Sequence, residues 1–168
     1  MQIQGLQKLT LLDYPGRTAC TVFLSGCNFR CPFCHNAPLL TAADEDGMDE
    51  DELLAFLKKR QGLLDGVAVT GGEPLLRPEL PALLEKIKAL GYAIKLDTNG
   101  AFPEQLEAVV RAGLADYVAM DVKNSPVRYA QTVGAAELDL VPIDKSISFL
   151  LRGTVDYEFR TTAVAELH

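Results

Sequence analysis

The feature that most constrains the fold is an alternation of short apolar, β-branched runs with amphipathic helical stretches. Strands that alternate with helices along a chain form right-handed βαβ units, and such units build a parallel sheet. The pattern predicts five strands, at residues 18–24, 66–70, 93–97, 117–121 and 157–164. The fold class that follows is α/β, with parallel strands inside and helices outside.

Capping signals and apolar stripes predict the helices between these strands. Asp49 is a candidate N-cap with Glu52 three residues later, which is a capping-box pattern. Further helices are predicted over residues 79–90, 103–113 and 145–151. Three other segments are predicted to be a strand or hairpin covering one barrel end (1–15), an acidic linker (44–49) and a loop with one helical turn (124–140).

Length and charge limit the classes of protein. The 168 residues are the size of one domain, so we expect residues 1–168 to form one, with an N-terminal extension of about 17 residues. The net charge of −7 disfavours a nucleic-acid partner, because phosphate binding needs a surplus of Lys and Arg. No apolar run approaches the roughly 20 residues that span a bilayer, and the N-terminus lacks a signal-peptide pattern. We therefore expect a cytoplasmic protein without a membrane partner, in a compartment where thiols stay reduced.

Polar and glycine-containing segments follow the predicted strands. Parallel α/β sheets place their chemistry at the carboxyl ends of the strands, so these segments are expected to meet at one edge. In chain order they are Gly26-Cys27, Gly71-Gly72-Glu73-Pro74, Asp97-Thr98, Asp121-Val122-Lys123 and Arg160.

Three of the four cysteines, Cys27, Cys31 and Cys34, lie within eight residues. Three thiolates in one compact loop suit the corner irons of a [4Fe–4S] cubane. Because a cubane has four irons, this set leaves one iron without a protein ligand, and that iron can bind a substrate. Cys20 lies inside the first predicted strand and is interpreted as a small buried apolar residue.

Other sites share parts of this cysteine pattern. The run from Cys31 to His35 matches the attachment motif of c-type haem, although attachment requires export and leaves Cys27 unexplained. A structural zinc site could use the three cysteines with His35. Cys31 and Cys34 alone could form a redox dithiol. The residues by themselves leave these alternatives open beside the cubane.

The cysteine spacing and the glycine-rich turn together resemble a known family. C-x3-C-x2-C after a first strand resembles the signature of the radical S-adenosylmethionine (SAM) superfamily, and Gly71-Gly72-Glu73-Pro74 resembles its second signature. Residues 12–36 are similar to the glycyl-radical-enzyme activases, above all those of anaerobic ribonucleoside-triphosphate reductase and pyruvate formate-lyase. The resemblance covers nearly the whole chain and implies an open, partial TIM-type barrel, the radical SAM core.

The same resemblance implies an activity. A [4Fe–4S] cluster on Cys27, Cys31 and Cys34 would reduce SAM, giving methionine and a 5′-deoxyadenosyl radical. In the activases this radical takes a hydrogen atom from a glycine of a glycyl-radical enzyme, and a flavodoxin- or ferredoxin-type protein is the electron donor. Two alternatives are a radical SAM enzyme acting on a small molecule such as a deazapurine precursor, and a non-catalytic zinc-binding protein.

The resemblance also implies residues that bind SAM. Gly71 and Gly72 would let the backbone approach the methionine moiety, and Glu73 would accept from its ammonium group. Phe33 would lie against adenine, and His35 and Asn36 match the family's Cys-His-Asn without an assigned role. The remaining implied positions are Lys123 and Arg160 at the carboxylate or ribose, and a monovalent cation near Asp97, Thr98, the Ala119 carbonyl and Asp121.

One departure from the family pattern concerns the number of strands. The family builds an open barrel of six βα units, whereas five strands are predicted here. We therefore expect a barrel truncated after about five strands, with an exposed edge that could pair with another chain. The expected activity of such a chain is low or absent.

Overall fold

The computed structural model describes residues 1–41 and 47–168. The strands are β1 (Gln2–Ile3), β2 (Gly5–Thr10), β3 (Ala19–Leu24), β4 (Met48–Asp49), β5 (Gly66–Gly71), β6 (Ala93–Thr98), β7 (Tyr117–Asp121) and β8 (Asp156–Arg160). The helices are α1 (Glu50–Arg60), α2 (Leu80–Ala89), α3 (Pro103–Arg111), α4 (Tyr129–Thr132) and α5 (Val141–Leu150), with short 3-10 helices at Ala37–Leu40 and Pro74–Leu76.

The main sheet has six strands in the order β2-β3-β5-β6-β7-β8. Strands β3, β5, β6, β7 and β8 are parallel to their neighbours, and β2 is antiparallel to β3. Each parallel strand of the main sheet lies beside the parallel strand that precedes it in the sequence, which is the usual order for consecutive βαβ units. The predicted α/β class and the five parallel strands are confirmed, and the sheet with its helices forms a partial α/β barrel.

The two faces of the sheet differ in composition. One face carries large apolar residues such as Val67, Ile94 and Val118, which lie in the same core as the apolar stripe of α2. Burial of such surface stabilises a fold by about 25 cal/mol per Å². The other face carries small and polar residues, as in the register pairs Ala68↔Lys95 and Asp97↔Ala119. The helices pack on the apolar face. The polar residues of the other face continue along the strands to their carboxyl ends.

Helix α1 begins where the capping box predicts. The Asp49 carboxylate accepts from the Glu52 N–H at 2.8 Å, and the Asp49 N–H donates to the Glu52 carboxylate at 3.2 Å. Of the predicted acidic linker, residues 44–46 lie outside the described residues. Met48 and Asp49 form a strand instead of a linker, because they pair with β1.

Several element predictions need correction at their ends. Residues 1–15 contain the predicted strand, β2, which extends the main sheet by pairing with β3. Tyr14 then lies buried beside Gly66 and Tyr117 at the amino ends of β5 and β7, so this segment covers one barrel end as predicted. Helix α5 begins at Val141, four residues before the predicted start, because Pro142 is suited to the first turn of a helix. Strand β8 ends at Arg160 instead of residue 164, while the single predicted turn between 124 and 140 is present as α4.

Within residues 1–41 and 47–168, no helix has the length and hydrophobicity needed to cross a bilayer.

Candidate active site at the carboxyl ends of the strands

The carboxyl ends of the parallel strands surround a cavity of about 240 Å³. It lies where an α/β sheet is expected to place its chemistry. Every predicted site residue except Glu73 and Ala119 lines it: Cys27, Cys31, Phe33, Cys34, Gly71, Gly72, Asp97, Thr98, Asp121, Lys123 and Arg160. His35 and Asn36 line the same cavity. Residues that are 133 positions apart in sequence, Cys27 and Arg160, therefore share one site.

The cysteine loop is anchored to its surroundings by backbone hydrogen bonds. The Gly26 N–H donates to the Leu39 carbonyl at 2.9 Å, and the Arg30 N–H donates to the Val133 carbonyl at 2.9 Å. Within the loop, the Cys34 N–H donates to the Cys31 carbonyl at 3.1 Å. These bonds hold a short, irregular loop in place without regular secondary structure.

The three loop thiols are half-buried and face the cavity. Burial raises the pKa of the Cys27 and Cys31 thiols, and the nearby Lys123 ammonium acts in the opposite direction. Cys20 differs from them: it is fully buried in the apolar core, and burial raises its pKa to about 12. The interpretation of Cys20 as an apolar core residue is confirmed.

The donor set fits a cubane cluster. A [4Fe–4S] cluster takes each cysteine at a different iron, so it needs three thiols around one cavity, which this loop provides. Among the residues that the structure describes, no three Cys, His, Asp or Glu side chains converge on a site for a single ion.

The glycine turn after β5 packs directly on the cysteine loop. The Gly72 N–H donates to the Leu24 carbonyl at 2.9 Å, and the Glu73 N–H donates to the Gly26 carbonyl at 2.8 Å. A Cβ on Gly72 would collide with the Gly26 carbonyl oxygen. Gly71 has a φ of 121°, a conformation that side chains rarely adopt. The two glycines therefore permit an approach of backbones that any other residue would obstruct.

Glu73 lies behind the cavity instead of lining it. Its carboxylate accepts from the Leu75 N–H at 3.0 Å, the Thr98 hydroxyl at 2.9 Å and the Asn99 N–H at 2.7 Å. Burial raises the pKa of Glu73 to about 7. The three hydrogen bonds stabilise the charged carboxylate and so act in the opposite direction, but their effect is smaller. The side chain joins the turn after β5 to the turn after β6. This geometry favours a positioning role over the predicted contact with an ammonium group.

Asp97 and Asp121 lie in a network of protein cations. Lys95 Nζ is 2.5 Å from Asp97 Oδ1, and Arg160 Nη1 is 3.3 Å from Asp97 Oδ2. Arg160 Nε is 3.0 Å from Asp121 Oδ1, and Lys123 Nζ is 2.8 Å from Asp121 Oδ2. All four carboxylate oxygens therefore face a Lys or Arg nitrogen, which gives no support to the predicted monovalent cation. Arg160 connects the ends of three neighbouring strands.

Several residues at this site were absent from the sequence prediction, among them Lys95 and Asn99. Lys95 is buried on the polar face of β6, with Glu158 at 4.0 Å as a second acidic neighbour. A lysine two residues before Asp97 in an otherwise apolar strand is the signal that could have identified it. The Asn99 amide donates to Asn28 at 2.8 Å and lies 3.9 Å from the Cys27 sulfur. Its Asn-Gly sequence is also a common turn signal, which concealed this contact.

Comparison with protein families gives a match over most of the chain. The sequence profile of the radical SAM superfamily matches residues 21–140. A protein of Methanocaldococcus jannaschii, provisionally named a glycyl-radical enzyme activating enzyme, is 33% identical over 173 residues, which is 98% of this chain and 69% of that protein.

Two further curated relatives differ in their named activities. The pyruvate formate-lyase-activating enzyme of Clostridium pasteurianum is 33% identical over 129 residues, covering 73% of this chain and 52% of that protein. A 7-carboxy-7-deazaguanine synthase of Hyperthermus butylicus is 35% identical over 121 residues, covering 68% and 48%. The chain spans about half the length of these two relatives.

Solved structures share the fold. QueE from Escherichia coli superposes with a TM-score of 0.55 at 16% identity, covering 96% of this chain and 94% of that one. The structure of anSMEcpe with bound AdoMet (SAM) superposes with a TM-score of 0.61 at 19% identity, covering 81% and 40%. At these identities the likeness concerns the fold alone.

Proposed function

Because this chain belongs to the radical SAM superfamily, which uses a [4Fe–4S] cluster and SAM, we propose that it generates a glycyl radical on a partner enzyme. The observation that carries the proposal is the meeting of three half-buried thiols with the glycine turn in one cavity. Cys27, Cys31 and Cys34 would hold the cluster. When bound, the cluster supplies the single electron that cleaves SAM into methionine and a 5′-deoxyadenosyl radical.

The remaining cavity residues would bind and orient SAM. Gly71 and Gly72 line the cavity, and their missing Cβ atoms let the turn pack on the backbone of Leu24 and Gly26, which would hold its peptide groups ready for the methionine moiety. Lys123 and Arg160 are the cations that could meet its carboxylate or the ribose. Phe33 offers an apolar surface for adenine.

Asp97 and Asp121 would act through the cations that they hold. Since both carboxylates already pair with Lys or Arg, they fix the positions of Lys123 and Arg160 in the cavity. Glu73 would act one layer further out, by fixing Thr98 and Asn99. These assignments give each polar residue of the site a contact that supports it.

The names of two relatives favour a protein substrate. The M. jannaschii and C. pasteurianum proteins are both named as activating enzymes, and the first covers nearly all of this chain. The alternative is a small-molecule substrate, favoured by the deazaguanine synthase among the relatives. The haem, dithiol and zinc-scaffold interpretations are not carried forward, because the superfamily match includes all three loop cysteines.

We also propose the setting in which such an enzyme works. Four free cysteines are compatible with a reducing, cytoplasmic compartment. A flavodoxin- or ferredoxin-type protein would supply the electron, and residues 1–168 would act as one domain.

The test is reductive cleavage of SAM by the anaerobically reconstituted protein, with and without a glycyl-radical enzyme from the same organism. The proposal expects 5′-deoxyadenosine in both reactions, at the low rate expected of a barrel with five parallel strands, and, with the partner present, the doublet of a glycyl radical in the electron paramagnetic resonance spectrum. Cleavage of SAM with no doublet on any cognate glycyl-radical enzyme would contradict the activase assignment and favour the small-molecule alternative. A reconstituted protein that binds zinc and no iron–sulfur cluster would contradict the radical chemistry itself.

A further inference from the structure

The surface beside the cysteine loop has a charge opposite to that of the whole chain. The chain carries 23 acidic and 16 basic residues. Residues 27–41 and 122–135 nevertheless contain no Asp or Glu, while they include Arg30, Arg128 and Lys123, the last of which pairs with Asp121. We name these two segments the basic collar. Because the chain as a whole is acidic, the absence of Asp and Glu from two segments that meet on one surface calls for a physical explanation.

The two segments of the basic collar are in direct contact. The Arg30 N–H donates to the Val133 carbonyl at 2.9 Å, and Gly134 lies so close to the Arg30 backbone that a Cβ there would collide with it. The Tyr129 hydroxyl accepts from the Lys123 N–H at 3.2 Å. The collar is therefore one continuous surface that borders the cysteine loop.

Its two exposed arginines are available for a partner. Arg30 Nη1 donates to the Cys27 carbonyl at 2.6 Å and to the Phe29 carbonyl at 2.8 Å, which fixes its guanidinium beside the first cysteine. Arg128 Nη1 donates to the Leu167 carbonyl at 3.3 Å. In the part of the chain that the structure describes, neither guanidinium forms an ion pair with a carboxylate. Beside Arg128, Val127 is 95% exposed and offers an apolar contact.

The proposed chemistry needs an electron from outside the protein. Because electron transfer slows steeply with distance, a donor has to approach the cysteine loop closely. SAM and the substrate must occupy the cavity itself. The outer surface of the cysteine loop is therefore the remaining surface from which a donor can come close to the cluster. Complementary charge across such a surface accelerates encounter and aligns the partners.

We propose that the basic collar is the docking surface for an acidic one-electron carrier protein of the flavodoxin or ferredoxin class. This inference rests on the proposed function. In the transfer the donor is oxidised by one electron and the cluster takes up that electron, so no bond forms or breaks. Arg30 and Arg128 would meet carboxylates of the donor, and Val127 would add an apolar contact beside Arg128.

The test measures binding of a purified acidic flavodoxin to the reconstituted protein by calorimetry, at low and high salt. Arg128→Glu is the first variant, because its side chain supports no part of the cysteine loop. We expect it to weaken binding about tenfold at low salt, with a smaller difference between the two proteins at high salt.

Arg30→Gln is the second variant, accompanied by iron analysis to show that the loop still holds its cluster. The matched control is Arg152→Glu, an equal charge reversal at an exposed site after α5.

A second measurement compares two reductants. With flavodoxin as the reductant, Arg128→Glu should slow SAM cleavage about tenfold, whereas with excess dithionite it should match the unaltered protein. Equal flavodoxin binding by the Arg128→Glu and Arg152→Glu variants would overturn the proposal. An Arg128→Glu defect confined to glycyl-radical formation under dithionite would also overturn it and assign the collar to the protein substrate. Failure of dithionite to drive any SAM cleavage would count against the proposed function, while the calorimetry would still report on the collar.

Discussion

Cys20 and Cys31 show how one residue type acquires two kinds of chemistry. Cys20 lies in β3 among apolar side chains and is fully buried, whereas Cys31 is half-buried at the cavity. We predict that Cys31→Ala abolishes cluster binding, because a cubane held by three cysteines loses one of its protein ligands. Cys20→Ala is the matched control and should keep the cluster at a modest loss of stability, since it removes one small buried side chain. Iron and sulfide analysis after anaerobic reconstitution, with the visible absorption spectrum, checks both. A Cys31→Ala protein with a full iron complement would contradict the assigned ligands.

Glu73 is the residue whose burial has the clearest consequence for stability. Its pKa is about 7 in the folded protein against an ordinary value of 4.5. Between these values the unfolded chain has lost a proton that the folded protein keeps, so the free energy of unfolding falls as pH rises from 4.5 to about 7.

We predict that Glu73→Gln removes this part of the pH dependence. The loss across the interval is on the order of 3 kcal/mol for the unaltered apoprotein, since each pKa unit corresponds to about 1.4 kcal/mol. Urea unfolding of both proteins over that pH range measures the difference in slope. Parallel curves for the two proteins would mean that folding does not raise the pKa of Glu73.

At the scale of elements, Arg160 ties β8 to the two strands before it. It contacts Asp121 at 3.0 Å and Asp97 at 3.3 Å, and its carbonyl accepts from the Val122 N–H at 2.9 Å. We predict that Arg160→Ala loosens the carboxyl end of β8, because two charged hydrogen bonds are lost. The cost is about 1.5 kcal/mol, at the low end for charged hydrogen bonds because the side chain is partly exposed.

Hydrogen exchange of the apoprotein measures this effect directly. The Val122 amide should exchange about tenfold faster in the Arg160→Ala variant. Arg152→Ala, at an exposed turn, is the control and should leave Val122 unchanged. Unchanged protection of Val122 in both variants would show that backbone pairing alone holds β8.

The elements that the sequence predicts well are those governed by local periodicity. The strand at 117–121 and the capping box at Asp49 are found as predicted, because each depends on neighbours within a few residues. The pairing of β2 with β3 was missed, since strand partners are chosen by long-range packing.

The same distinction holds within the candidate site. The cysteine loop was predicted from its spacing, and the glycine turn from its position after a predicted strand and its resemblance to a family signature; both line the cavity. The inward direction of Glu73 and the burial of Lys95 depend on contacts with other strands, which a linear pattern does not contain. Sequence therefore identified the residues at this site better than their orientation.

For the whole molecule, binding of SAM is coupled to stability. A ligand that binds only the folded protein adds about 2.7 kcal/mol to the free energy of unfolding at a hundredfold excess over its Kd. We predict that SAM raises the melting temperature of the reconstituted protein by roughly 5–10 °C, as expected at this chain length. Anaerobic thermal unfolding measures the shift. The Cys31→Ala variant should show little of it, because SAM would have no iron to bind; an equal shift in that variant would contradict a role of the cluster in binding SAM.

The contact between the cysteine loop and the glycine turn has a consequence for oxidative inactivation of the protein. The Asn36 amide donates to the Gly71 carbonyl at 3.1 Å, and the Gly72 and Glu73 amides donate to the backbone that leads into the loop. Oxidative loss of the cluster would release the cysteine loop and, with it, the support of the turn. Loss of the cluster would therefore also disturb the glycine turn, which lines the same cavity. Recovery would require the loop to be reassembled around new iron before SAM could bind again.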